Sequence, residues 1–359
     1  MKHIFILTLL IALLMSACRE EVQFNDENIA SKMVVNSFIE PDSLIKVSVA
    51  GSKPIPGIPS DFNWINDASI KLFVDGKETE TLKTMEVSVP EGNNNYYDQS
   101  YTPSVVYYSE TKAEVGKIYK LEISHERYGL ATCETTIPEP IQIISLDTMV
   151  IGTTRYNNEY NILNVKLKFK DPANEANFYR LIAYVNQGIY REKRYQDTVM
   201  DSVIEVRENY LTIFDPVINP EQEDANDFLL GSPRNPYNVF TDELIEGREY
   251  TVNFDINIYN HLRIEGIDMT RKGEFHQIKF ILQSITPETY LFLKSSYLHH
   301  YYDGDLFAEP VQVFSNVENG LGILGGQSND VISFQKGNYP VDSINYHYGY
   351  YNTYYYPNY

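Results

Sequence analysis

The alternation of apolar and polar residues is the feature of this sequence that most restricts its fold. In the clearest stretch every second residue is apolar: Tyr250, Val252, Phe254, Ile256 and Ile258. Because successive side chains of a β-strand point to opposite faces, this pattern predicts a strand with one buried and one solvated face. Similar segments recur from residue 32 onwards, separated by turn signals such as Asp75-Gly76. The chain is therefore predicted to be mainly all-β.

The length of 359 residues suits two domains of ordinary size. Short strands up to the Pro138-Glu139-Pro140 stretch predict an Ig-like β-sandwich over 28–140. The region 141–345 is predicted to be a second β-rich domain.

One prominent helix is predicted in the second domain, over 286–303. Thr286 can cap its N-terminus, Pro287 suits the first helical position, and Glu288 favours the positive end of the helix dipole. Gly304 can end the helix. Large apolar or aromatic residues recur inside it at helical spacing: Tyr290, Leu293, Leu298 and Tyr301.

The N-terminus has the organisation of an exported bacterial lipoprotein. Residues 1–17 contain an apolar run of signal-peptide length that is too short to span a bilayer. The following stretch, Met15-Ser16-Ala17-Cys18, resembles the lipobox in which the cysteine receives the lipid. Cys18 is therefore the predicted lipid-bearing N-terminus, and 18–27 the acylated tether, because several acyl chains together give stable anchoring.

Three charged residues directly follow the predicted lipidation site: Arg19, Glu20 and Glu21. This triplet resembles the tag that sends Bacteroidota lipoproteins to the outer face of the outer membrane. We therefore expect a protein that is lipid-anchored in the outer membrane and faces the cell exterior. The alternative is that the triplet is only a solvated, charged tether.

Charge and cysteine content restrict the chemistry further. Acidic residues outnumber basic residues by 49 to 29, and the resulting field argues against a nucleic-acid partner because it repels phosphate backbones. If Cys18 is acylated, Cys133 has no intramolecular disulfide partner. Its strand-like setting predicts a small buried hydrophobe.

A long loop in the first domain, 91–109, is rich in tyrosine. Loops of this length are usually functional or disordered, and tyrosine is a common contact residue at binding surfaces. The predicted ligand contacts are Tyr96, Tyr97, Tyr101, Tyr107 and Tyr108. The alternative is that these side chains pack the loop against the sandwich.

The C-terminal tail, 346–359, is biased in composition, since eight of its fourteen residues are tyrosine. Such a tract cannot specify a packed core by itself, so its deletion is predicted to leave the fold intact. The alternative is that the tail adds a strand to the second domain.

Three patterns that could carry chemistry are better explained without it. Residues 320–325 match G-x-G-x-x-G, but a turn and a strand follow instead of a helix, which predicts a backbone turn and no dinucleotide cofactor. A second pattern is a possible metal cluster of His299, His300, Asp303 and Asp305. A third is a possible calcium loop with Asp224, Asn226 and Asp227. Histidines already suit a helix C-terminus, and the acidic loop lacks the spacing of a calcium loop. No catalytic motif is recognisable, so neither a metal, a cofactor nor a catalytic residue is predicted.

Several stretches together resemble one Bacteroidota lipoprotein family, domain of unknown function 4249. They are 133–138, 170–172, 177–181, 240–247, 307–313 and 319–323. The resemblance covers nearly all of the mature chain and supplies no established ligand residues. It implies lipoproteins encoded beside TonB-dependent outer-membrane transporters.

The leading hypothesis is therefore a non-enzymatic subunit that captures an unknown nutrient for a TonB-dependent transporter, or otherwise assists that transporter. Two alternatives remain open. One is a structural or adhesion lipoprotein. The other is a cell-surface hydrolase that brings two carboxylates together from distant strands.

Replacing the lipidated cysteine tests the anchoring. Cys18→Ala should abolish lipid attachment, because only the thiol can carry the thioether-linked lipid. Incorporation of labelled palmitate by cells expressing each form measures this, and wild-type labelling of the variant would contradict the lipoprotein assignment.

Replacing Arg19, Glu20 and Glu21 with alanine tests the export tag. The variant should become protected from protease added to intact cells, while Cys18 lipidation is retained. Surface digestion at the wild-type rate would contradict the export tag and support the alternative that the triplet is only a charged tether.

Overall fold

A computed structural model of the chain confirms the all-β class. It describes residues 30–52, 63–87, 105–153, 160–195, 198–219, 235–259, 270–302, 309–336 and 346–348. Strands dominate these residues, with one prominent helix at the predicted place. No helix in these ranges is long and apolar enough to cross a bilayer.

The first nine strands are β1 Met33–Ile39, β2 Leu44–Gly51, β3 Asn63–Trp64, β4 Ser69–Val74, β5 Lys77–Thr81, β6 Lys83–Glu86, β7 Val105–Lys112, β8 Ile118–His125 and β9 Gly129–Thr136. The next seven are β10 Ile143–Thr153, β11 Tyr160–Lys170, β12 Phe178–Tyr195, β13 Thr198–Tyr210, β14 Val239–Thr241, β15 Glu249–Tyr259 and β16 Thr270–Ile285. Helix α1 Pro287–Tyr302, β17 Leu321–Lys336 and β18 Tyr346–Tyr348 complete the described elements.

The first part of the chain forms a β-sandwich. One sheet has the strand order β5-β4-β8-β9, and the facing sheet contains β1, β2, β7 and β6, with β3 beside β2. Alternate residues of both sheets meet in one core that includes Val35, Leu72 and Leu121. The predicted hairpin turn is confirmed, because Asp75 and Gly76 both have positive φ between β4 and β5.

A second sandwich follows. Its smaller sheet has the order β10-β11-β15, and its larger sheet contains β13, β12, β16 and β17. The clean alternation of β15 is explained by this packing, since Val252, Phe254 and Ile256 are buried in the core between the sheets. Phe254 meets Phe280 of β16 edge to face, with 5.9 Å between ring centroids.

Strand β17 belongs to both sandwiches. Its first half pairs in parallel with β1, from Val34 opposite Leu321 to Ile39 opposite Gly326. Its second half, 327–336, pairs in antiparallel fashion with β16. Leu324 is fully buried in the core of the first sandwich. The sheet of the region predicted as 28–140 is therefore completed by a strand from near the C-terminus.

The glycines of the G-x-G-x-x-G pattern have a packing role. A Cβ at Gly326 would overlap the carbonyl oxygen of Thr136, and one at Gly322 would overlap that of Val35. Gly322 also has φ +104°, a conformation that favours glycine. The segment is a strand pressed against neighbouring backbone rather than the predicted turn.

Helix α1 covers the junction of the two sandwiches. Thr286 caps it as predicted, since its Oγ1 accepts from Thr289 N at 3.4 Å and its carbonyl accepts from Tyr290 N at 3.0 Å. Phe292 packs against Phe38 of β1, with ring centroids 6.2 Å apart. Tyr290 packs against Phe178 of β12 at 5.2 Å. The helix therefore packs against the shared sheet on both sides of the junction.

Part of the tyrosine-rich tail has regular structure. Residues 346–348 form β18, which pairs in parallel with 204–206 of β13. This arrangement favours the alternative in which the tail adds a strand, while 349–359 lie outside the described residues.

Gly326→Ala tests the close approach at the shared strand. The added methyl group must displace the Thr136 carbonyl, so the free energy of unfolding should fall by about 1–3 kcal/mol, as in other overpacked sites. Gly152→Ala is the matched control, because its Cβ would meet only Ile162 Cδ1 at 3.9 Å. Urea unfolding of both variants checks the difference, and equal stabilities would contradict it.

Candidate binding surface

The structure places two of the predicted ligand contacts. Tyr107 is only 1% exposed, its hydroxyl donates to Ile65 O at 3.0 Å, and it accepts from Ala68 N at 2.9 Å. This position fits the packing alternative, because Tyr107 holds the 65–68 segment from inside the sandwich. Tyr108 is half-buried on β7, in register with Lys46 and Lys83.

The other predicted site residues lie outside the described ranges. They are Cys18, Arg19, Glu20, Glu21, Tyr96, Tyr97 and Tyr101. Their roles stay predictions.

Residues of three family-like stretches meet in one buried network. Tyr179 donates its hydroxyl to Asp171 Oδ1 at 2.5 Å, and Gly247 N donates to Asp171 Oδ2 at 2.7 Å. Burial raises the pKa of Asp171 and of Tyr179, although both donors favour the carboxylate form of Asp171. The network ties the ends of β11 and β12 to the turn before β15. These motif residues therefore support the fold.

A second buried carboxylate has the same kind of role. Asp215 accepts from Tyr250 Oη at 2.8 Å, from Val217 N at 2.9 Å and from Asn253 N at 3.3 Å. It thus fastens the segment after β13 to β15. Burial, followed by the hydrogen bond to Asp215, raises the pKa of Tyr250.

Asn238 connects three further segments. Its Oδ1 accepts from Ile213 N at 2.8 Å, and its Nδ2 donates to Leu181 O at 3.0 Å and Leu211 O at 2.8 Å. It has φ +50°, which asparagine tolerates better than most residues. All of its side-chain hydrogen-bonding groups are thus engaged with backbone.

The candidate metal and thiol positions show no assembled centre in the described ranges. His299 Nδ1 lies 2.6 Å from Val311 O, and Asp303 and Asp305 lie outside those ranges, as does the 224–227 loop. No group of three histidine, cysteine, aspartate or glutamate side chains in the described ranges could hold a metal ion. Cys133 is buried as predicted, and burial raises the pKa of its thiol to about 12.

Strand β10 carries four exposed large apolar residues along its length. The exposed fractions of these side chains are 50% for Ile144, 61% for Met149, 55% for Val150 and 49% for Ile151. We call these four residues the β10 edge. Single exposed hydrophobic residues are ordinary on protein surfaces, but a run of three, Met149–Ile151, on an end strand makes it a candidate interaction site. Strand β10 is also the end strand of its sheet and, within the described residues, pairs only with β11.

The neighbouring strands present a polar face to solvent. Asn164 of β11 donates to Asn253 Oδ1 at 2.9 Å and to Asp255 Oδ1 at 2.8 Å, both on β15. Lys168 pairs with Glu249 at 3.3 Å. The apolar exposure of this sheet is therefore concentrated at its β10 side.

Sequence reasoning did not identify the β10 edge. A signal was available, because residues 149–151 are three consecutive apolar residues, which interrupt the alternation expected of a half-buried strand. What the pattern could not supply was the position of β10 at the end of a sheet.

Comparison with known families gives one match. The sequence model of the family described as "Domain of unknown function (DUF4249)" matches residues 19–333, and the chain belongs to this family. No curated protein sequence matches the chain.

Tyr179→Phe tests the buried network. The change leaves Asp171 Oδ1 without its donor inside the protein, so the free energy of unfolding should fall by about 1–3 kcal/mol. Tyr290→Phe is the control, since that hydroxyl accepts only an exposed bond from Lys294 at 3.2 Å and should matter little. Urea unfolding checks both, and equal losses would remove the special role of the Asp171 pair.

Proposed function

We propose that this protein is a lipid-anchored, non-enzymatic accessory subunit on the cell surface that assists a TonB-dependent transporter in capturing a nutrient. The observation that carries the proposal is the β10 edge, a group of exposed apolar side chains on an end strand. Surfaces of this kind are typical of protein–protein contact sites.

The two most deeply buried carboxylates of the described residues have structural partners. Asp171 and Asp215, two fully or nearly buried carboxylates, are each engaged by donors from within the fold. A catalytic carboxylate needs access to substrate, and these two have almost none. They are therefore poor candidates for the acid and base of a hydrolase.

For a protein anchored at its N-terminus, the path of the chain would place the second sandwich beyond the first. The predicted tether enters the fold at β1, and β17 runs parallel to β1 before it continues into the second sandwich. A strand the length of β17 spans about 50 Å. The second sandwich, with its β10 edge, would thus lie away from the lipid anchor, where a transporter's external surface is reachable.

Purification of the native lipoprotein from membranes tests the proposal. An affinity tag inserted in the exposed 173–175 turn leaves the N-terminal lipid and the tail unchanged. After mild cross-linking, we expect a TonB-dependent barrel protein among the stoichiometric partners, and growth on the transported nutrient should require the lipoprotein. An untagged strain is the control for non-specific recovery. Recovery of the lipoprotein alone, with unimpaired growth of the deletion strain on every nutrient tested, would contradict the proposal.

A further inference from the structure

We infer that the β10 edge binds an extended strand of the partner protein, which continues the β10-β11-β15 sheet and places a basic residue beside Asp147. The inference rests on the proposed function, and it describes the chemistry of that partner.

The backbone of β10 is suited to receive another strand. From Ser145 to Val150 it pairs with β11 without interruption, and register irregularities lie only on either side of this stretch. An end strand offers a row of backbone donors and acceptors along its outer side, which a further strand satisfies. The uninterrupted stretch is long enough for an ordinary short strand to pair with it.

The side chains of β10 do not protect this edge. Natural proteins often block an end strand with lysine or proline, and Ile143–Thr153 contains neither. Its exposed Met149, Val150 and Ile151 instead supply apolar contacts for an incoming strand. The edge is therefore equipped for pairing rather than guarded against it.

Charge decides between a foreign strand and a second copy of this chain. Asp147 is exposed and is the only charged residue of β10. The full sequence has a net charge of −20, and two such acidic chains repel each other, whereas a strand with lysine or arginine near Asp147 is attracted. The expected occupant is apolar at alternate positions and basic at one position between them.

The position of the edge argues against a lipid occupant. Asp330 Oδ2 of β17 accepts from Ile143 N at 2.6 Å, so β10 starts beside the second half of β17. The start of β17 lies beside the start of β1. From there, the path to Val150 follows nine residues of β17 and then seven of β10, which is about 50 Å along the strands. A lipid anchor attached before β1, as proposed above, would hold the start of β1 rather than the β10 edge nearest the membrane.

A synthetic heptapeptide tests the inference with the full mature chain. Its residues alternate valine and threonine, with one central lysine, and fluorescence anisotropy measures its binding. Methylation of alternate backbone nitrogens, on the side that faces β10, should weaken binding at least tenfold because it removes the strand donors. Exchanging the lysine for glutamate should also weaken it. Failure of the parent peptide to bind, or equal binding of the methylated peptide, would overturn the inference.

Val150→Lys should weaken peptide binding at least tenfold, because it places a charge on the apolar edge. Leu244→Lys is the matched control, since Leu244 is 62% exposed and lies outside β10. It should bind as the wild type does. Both side chains are more than half exposed, so unchanged melting temperatures should accompany these results. Equal weakening by both variants would overturn the inference.

Two further outcomes would assign the edge to another occupant and overturn the inference. One is a wild-type dimer in sedimentation velocity that Val150→Lys dissociates. The other is flotation with vesicles of phosphatidylethanolamine and phosphatidylglycerol that Val150→Lys abolishes. Undiminished co-purification of the transporter with Val150→Lys would overturn the edge assignment alone. Peptide binding without any transporter partner would overturn the proposed function alone.

Discussion

The parallel pairing of β17 with β1 is the interaction on which the rest of the structure depends. It joins the two sandwiches through one continuous sheet, and it places Leu324 in the core of the first sandwich. The pairing requires unusually close backbone contact, which explains the glycines at 322 and 326. Helix α1 then covers the same junction through Phe292 and Tyr290. Separation of the two sandwiches would therefore expose apolar surface on both.

Several residues of the family-like stretches hold this architecture together. Asp171, Tyr179 and Gly247 come from three separate stretches and meet in one buried network. Asp215 and Asn238 add similar connections inside the second sandwich. Burying such groups is favourable only when their hydrogen bonds are satisfied, and here backbone and tyrosine groups satisfy them. These contacts stabilise the fold, while the proposed binding function depends on the exposed side of β10.

The candidate site shows where reasoning from sequence succeeds and where it stops. The tyrosine content of 91–109 predicted ligand contacts there, but Tyr107 faces the core. Strand alternation shows that two faces differ and does not say which of them is covered, so the sequence could not predict this. The apolar run at 149–151 is present in the sequence, but no binding surface was predicted from it. The sheet order shows that this run lies on an end strand, β10. Exposure is a property of the assembled sheets, so local pattern could not predict it.

The sequence by itself determined the local structure of this protein. Alternation specified strands such as β4, β8 and β15, Asp75-Gly76 specified a hairpin turn, and the signals from Thr286 onwards specified α1. Each of these depends on contacts between near neighbours in the chain, which a linear pattern records. Only the tertiary structure decided that β17 joins both sandwiches and that the G-x-G-x-x-G pattern is a close strand contact. Those features depend on pairing between residues almost 290 positions apart, such as Val34 and Leu321, and no local pattern encodes a partner at that distance.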